Sequence, residues 1–200
     1  MKHNRTIFLG GFLIFLLGGL FLPVFAQEST ESGPASTPVK IFSFAEHLFG
    51  SETSIFLKNK SEISGVWNED AFEFKDFPPG AAVKTVVVAL EDHSQKAISL
   101  NPVPGAIRRL RFLDVPLGSK LIIYYKVEAQ PSKEISYMYF HVYAGKHELK
   151  RFRISTDDQD WEKKELDLGV ASFLGRGLPV TFELATNTAK VQFLFCSEIV

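Results

Sequence analysis

Apolar and polar positions alternate along most of the chain after about Trp67. The runs 83–90 "VKTVVVAL", 97–100 "AISL", 106–115 "AIRRLRFLDV", 119–128 "SKLIIYYKVE", 135–144 "ISYMYFHVYA", 148–154 "ELKRFRI", 162–168 "EKKELDL", 178–185 "LPVTFELA" and 190–196 "KVQFLFC" read as strands. Turn residues punctuate them: Pro102 to Gly105, Pro116 to Gly118, Pro131-Ser132, Gly145, Gly175 and Gly177. Strands this short and this evenly spaced predict an antiparallel sandwich or barrel. No long helical period lies between them, so a parallel α/β fold is disfavoured. Residues 40–60 are ambiguous, since "FSFAEHLFG" suits one or two helical turns or an extended piece.

The densest stretch is "YMYFHVY", residues 137–143. Side chains alternate across a strand, so Met138, Phe140 and Val142 share one side and Tyr137, Tyr139, His141 and Tyr143 the other. The wholly apolar set is expected in the core. In the next strand Phe152 and Ile154 share a parity opposite to Leu149, Arg151 and Arg153. A hairpin with a two-residue loop would put both arginines into the core, which charge desolvation opposes. The pattern therefore calls for an odd loop at Gly145-Lys146-His147, or for the two strands to lie in different sheets. Either way the tyrosine face is expected to be outward or partly covered. In 106–115, Leu110 and Phe112 alternate with Ile107, Arg109, Arg111 and Leu113. In 119–128, Leu121, Ile123, Tyr125 and Val127 point inward, and Lys120, Tyr124 and Lys126 outward.

The N-terminus changes the picture. Lys2, His3 and Arg5 precede an uncharged apolar run, Pro23 breaks it, and Val24-Phe25-Ala26 fits a small-x-small cleavage site. Residues 1–26 read as a secretory signal peptide, 27–39 as a disordered linker and 40–200 as one β-sandwich domain. The competing reading is a retained anchor, because the run is long enough for a bilayer core of about 30 Å. No cysteine follows the run, which argues against a lipoprotein anchor. A single cysteine, Cys196, leaves no intramolecular disulfide and reads as a buried inert thiol. Export with a lone cysteine suits a bacterial periplasm or exterior. Asn59-Lys60-Ser61 is a glycosylation sequon that matters only in a eukaryote. The 19 Phe suit a sandwich core, and a net charge of -1 carries no nucleic-acid footprint.

The order "DWEKKELDLGVASFLGRGLPVTFELA", a Trp, then LDL, then G-x-P-V-x-F-x-L, resembles the later strands of galactose-binding-like jelly-roll domains, the discoidin and carbohydrate-binding-module type. The resemblance covers about residues 105–200. It implies an all-β jelly-roll sandwich of eight or nine strands, often with a ligand surface at one end and often with a structural calcium. No family ligand residue maps onto a position here.

Chemistry-bearing groups are few. Tyr137, Tyr139, His141 and Tyr143 with Arg151 and Arg153 form the candidate ligand site: tyrosine offers a flat apolar face and a hydroxyl, arginine planar donors. The plainer alternatives are an ordinary solvated or intersheet face, or a protein-protein surface. Asp157, Asp158 and Asp160 gather oxygen ligands in one loop before Trp161 and are the candidate calcium site, without the glycine and distal glutamate of an EF-hand. A solvated turn is the simpler reading. His141 and His147 flank Gly145 without a third zinc ligand. His47 and His93 have no evident partner. Glu69 and Asp70 beside Trp67 are adjacent acids, which point to opposite faces of a strand and make a poor glycosidase pair. No G-x-S-x-G, P-loop, C-x-x-C or H-E-x-x-H is present. The sequence thus points to an exported, non-catalytic binding module for a carbohydrate or cell-envelope component, with no cofactor expected and calcium the one candidate. Its expected partner is a glycan or envelope protein, not nucleic acid, and no membrane once the signal is cleaved. An assembly subunit that binds another envelope protein is the alternative, and a hydrolase the third.

Overall fold

The structure, a computed structural model, describes residues 39–116, 118–129, 136–157, 159–169, 177–187 and 191–200. The expected signal segment 1–26, residues 27–38 of the expected linker, and Asp158 lie outside the described residues.

The described residues form strands β1 (Phe42–Ser43), β2 (Glu52–Phe56), β3 (Glu62–Ser64), β4 (Val66–Asn68), β5 (Ala71–Glu73), β6 (Val83–Leu90), β7 (His93–Leu100), β8 (Ile107–Val115), β9 (Lys120–Ala129), β10 (Tyr137–Ala144), β11 (His147–Ser155), β12 (Glu162–Asp167), β13 (Leu178–Thr186) and β14 (Val191–Ile199). They build two antiparallel sheets. The eight-stranded sheet has the order β12-β9-β14-β7-β6-β5-β4 with β1 also on β14, and the six-stranded sheet the order β11-β10-β13-β8-β2-β3. Within them, β7 to β14 run as β12-β9-β14-β7 in one sheet and β11-β10-β13-β8 in the other. Strand β13 inserts between β10 and β8, and β14 between β9 and β7, which is the nested Greek-key path of a jelly roll. The resemblance implied eight or nine strands, and these eight make up the jelly roll. Strands β6, β5 and β4 extend one sheet beyond β7, β2 and β3 extend the other beyond β8, and β1 pairs with the end of β14.

Alternation explains the layering. Phe140 and Phe182 of one sheet meet Phe193 and Phe195 of the other, with Phe140 4.9 Å from Phe193 and Phe182 5.0 Å from Phe195. All four rings are fully buried. Tyr125 of β9 closes the core against Phe152 of β11 at 6.0 Å. Offset and edge-to-face contacts of this kind add to the burial of large apolar area, so the Phe-rich composition becomes one continuous core. Cys196 is buried on β14, and burial pushes its thiol up to about 12.

Two expectations are corrected and one open reading is settled. First, β10 and β11 pair in one sheet through the two-residue loop Gly145-Lys146, so neither the odd loop nor the separate sheets hold. A bulge restores the parity instead. Val142 pairs with Lys150 and Tyr143 with Glu148, so the extra residue is Leu149, which packs on the core. Second, 40–60 is not helical beyond one short turn: β1, a 3-10 turn at Leu48–Gly50, and β2 occupy it. Third, strands begin well before Trp67, and β7 begins at His93. Its polar start is held by a two-residue loop in which Glu91 (φ 45°) and Asp92 (φ 64°) both take the left-handed conformation typical of tight hairpins. On β8, Arg108 shares the parity of Leu110 and Phe112, points into the core and is fully buried.

Candidate functional site

The outer face of the six-stranded sheet brings together all six residues proposed for ligand binding. Strand β10 lies between β11 and β13, and its register sets the face in rows. Arg153, Tyr139, Ala185, Ile107 and Phe56 stand opposite one another across β11, β10, β13, β8 and β2. The next row is Arg151, His141, Glu183, Arg109 and Ser54, and the third is Glu148, Tyr143, Thr181, Arg111 and Glu52. The bulge at Leu149 is what keeps Arg151 and Arg153 on this face.

The face has two parts with different chemistry. Around His141 and Tyr143 it is a matched polar network. Arg109 donates to Glu183 through Nε at 2.8 Å, its Nη2 lies 2.6 Å from the same oxygen, and its guanidinium lies 4.1 Å over the Phe56 ring. Arg151 Nε is 3.4 Å and His141 Nδ1 3.7 Å from Glu148, and Arg111 is 3.6 Å from Glu52. The rings of His141 and Tyr143 are parallel at 6.2 Å. Burial raises the Tyr143 pKa, and the nearby charges of Glu183 and Glu148 raise it further. Arg109, Arg111, Tyr143, Gly145, Thr181 and Glu183 line a cavity of about 360 Å³ here.

Around Tyr137 and Tyr139 the face is open. The two residues are 41% and 42% exposed, the only large exposed rings of the central strand β10. Beside them lies a hollow of about 230 Å³ walled by Ile107, Ala185 and Thr186 and overhung by Lys58. Gly105 shapes it. Its φ of +72° favours glycine, and a Cβ there would stand 3.1 Å from the Lys58 Cε, so the lysine would have to shift. The Gly105 amide bonds to the Thr186 carbonyl at 3.0 Å, fixing this loop to the end of β13. On the β11 side the Arg153 guanidinium lies 3.7 Å over the Tyr137 ring.

The other candidates are not drawn together. Asp157 and Asp160 are exposed, Asp158 is outside the described residues, and no group of three His, Cys, Asp or Glu is placed to hold a metal among the described residues. His47 stacks on Phe42 at 4.2 Å, and its Nδ1 lies 2.7 Å from the Ser43 carbonyl. His147 and His93 are exposed beside hairpin loops. Glu69 and Asp70 form the exposed turn between β4 and β5, while Trp67 packs on Phe72 at 4.9 Å and Phe49 at 5.3 Å.

Sequence reasoning missed Lys58, Arg109, Arg111 and Glu183 as members of this face. The outward parity of Arg109 and Arg111 was readable. Their approach to β10 was not, because β13 comes between them only through the jelly-roll crossover.

No protein-family model matches the chain, and no curated protein matches its sequence. Solved structures similar to it include the K1 cleaved adhesin domain of Lys-gingipain from Porphyromonas gingivalis W83, at 18% identity over 62% of this chain and 92% of that chain, TM-score 0.38. A second is the family 11 carbohydrate-binding module from Clostridium thermocellum in complex with a β-1,3-1,4-mixed-linked tetrasaccharide, at 13% identity, 80% and 94% coverage and TM-score 0.37. A third is the C-terminal CBM6 of LamC, a marine laminarinase from Zobellia galactanivorans, at 9% identity, 74% and 99% coverage and TM-score 0.35.

Proposed function

We propose that the chain is a non-catalytic carbohydrate-binding module that acts after export, in the periplasm or outside the cell, through the outer face of the six-stranded sheet. One observation carries this reading: Tyr137 and Tyr139 stand half exposed beside a hollow of about 230 Å³ on a strand with neighbours on both sides. A sheet needs no exposed aromatic there for its own stability. Rings of this kind stack on the apolar faces of sugars, while hydroxyls and amides at the rim fix orientation. The matched network of Arg109, Glu183 and Tyr143 supplies fixed donors and acceptors next to that hollow, suited to the hydroxyls of a longer chain.

The test is glycan-array binding by the full-length chain, followed by calorimetry on the best ligand. Tyr139→Ala should weaken binding by about tenfold or more with the circular dichroism spectrum unchanged. Unchanged affinity in folded Tyr137→Ala and Tyr139→Ala variants would overturn the reading. If those variants instead change the oligomeric state, the face belongs to an assembly interface.

A further inference from the structure

We infer that the hollow beside Tyr137 and Tyr139 is selective for an acidic sugar, one that carries a carboxylate; this rests on the carbohydrate reading above. The distribution of charge over the face supports it. Arg109, Arg111 and Arg151 each have a carboxylate partner, Glu183, Glu52 and Glu148 respectively. Two cations at the open end lack one among the described residues. Lys58 overhangs the hollow and Arg153 lies over the Tyr137 ring. Among the described residues no acidic side chain lines the hollow, and Lys58 is its only charged wall.

The Arg153 contact adds a second effect. A guanidinium 3.7 Å from one face of the Tyr137 ring offsets the negative potential of the ring's π system. The ring then favours an anion nearby over a cation. The dimensions agree, since about 230 Å³ suits one sugar ring rather than an extended strand or a helix. The loop holding Gly105 keeps the wall beneath Lys58 bare of side chain, so a ligand carboxylate can approach the ammonium from the hollow.

The experiment titrates the full-length chain with three uronate oligosaccharides, of galacturonate, mannuronate and hyaluronan type. Each is paired with its carboxyl methyl ester, which keeps the sugar and removes the charge. At least one acid form should bind about tenfold tighter than its ester, with a preference that shrinks as salt rises. Lys58→Gln should cut the preference to about twofold. Lys84→Gln, on an exposed strand position of the other sheet, should change nothing. Equal binding of acid and ester, or a preference that survives Lys58→Gln, overturns the inference while the carbohydrate reading stands. So does Tyr139-dependent binding of neutral glycans alone. Binding of no glycan, acidic or neutral, overturns both.

Discussion

Replacing Arg108 by methionine tests the least expected feature of the core. The guanidinium is fully buried on the inner side of β8. Nη1 donates to the Ala81 carbonyl at 2.7 Å, and the group lies 4.4 Å from the centre of the Phe74 ring. Among the described residues Nε and Nη2 have no hydrogen-bond partner. Desolvation lowers the Arg108 pKa to about 10, a penalty of about 3 kcal/mol on the charged form. Each unmet donor costs about another 1–3 kcal/mol. Against this, the charged hydrogen bond returns about 1.5–3 kcal/mol and the ring contact about 2 kcal/mol. Methionine fills a similar volume, keeps a sulfur contact to Phe74, and leaves only the Ala81 carbonyl unmet. Arg108→Met should therefore stabilise the fold by about 1–2 kcal/mol, in line with other replacements of buried charge. In urea unfolding followed by tryptophan fluorescence, the midpoint should rise with an unchanged slope. The sign with pH follows from the lowered pKa. Between about 10 and its ordinary value Arg108 binds more protons unfolded than folded, so wild-type stability gains with pH there. The advantage of methionine is constant below pH 10 and shrinks above it. A loss of 2 kcal/mol or more on substitution would refute the reasoning, because it would mean that Nε and Nη2 are satisfied in the folded protein.

The hairpin loop Glu91-Asp92 carries two non-glycine residues at positive φ, so Glu91→Asn with Asp92→Gly should raise stability by about 1 kcal/mol in the same urea assay. A Cβ at Gly118 would collide with the Val200 carbonyl oxygen, which accepts from the amides of Ser119 and Lys120, so Gly118→Ala should cost about 1–3 kcal/mol. Phe140→Ala removes the ring that meets Phe152, Phe182, Phe193 and Phe195 and should cost about 3–5 kcal/mol, measured by thermal unfolding. Cys196, its thiol raised to about 12, should react with a disulfide reagent at pH 8 about a thousandfold more slowly in the folded chain than in urea.

Much of this protein was decided by the order of its residues. Alternation over β6 and β8 to β14 fixed those strands, and the parity of "YMYFHVY" placed Met138, Phe140 and Val142 inside and the tyrosines outside. That works because a strand has a period of two and one face must leave water. The short strands β1 to β5 were not legible. They hold two to five residues each, and their pairing partners, not their own pattern, make them strands. Desolvation correctly kept Arg151 and Arg153 out of the core but gave the wrong device, since a bulge at Leu149 resolves the parity without an odd loop. The same rule failed for Arg108, whose parity was inward all along. A hydrogen bond to Ala81 and the Phe74 ring, both from distant strands or turns, make its burial tolerable. The site divides in the same way. Sequence supplied the tyrosines and their two arginines. Only the crossover that inserts β13 beside β10 could bring Glu183, Arg109 and Arg111 to them, and only the Gly105 loop could set Lys58 over the hollow, because both juxtapositions join segments far apart in the chain.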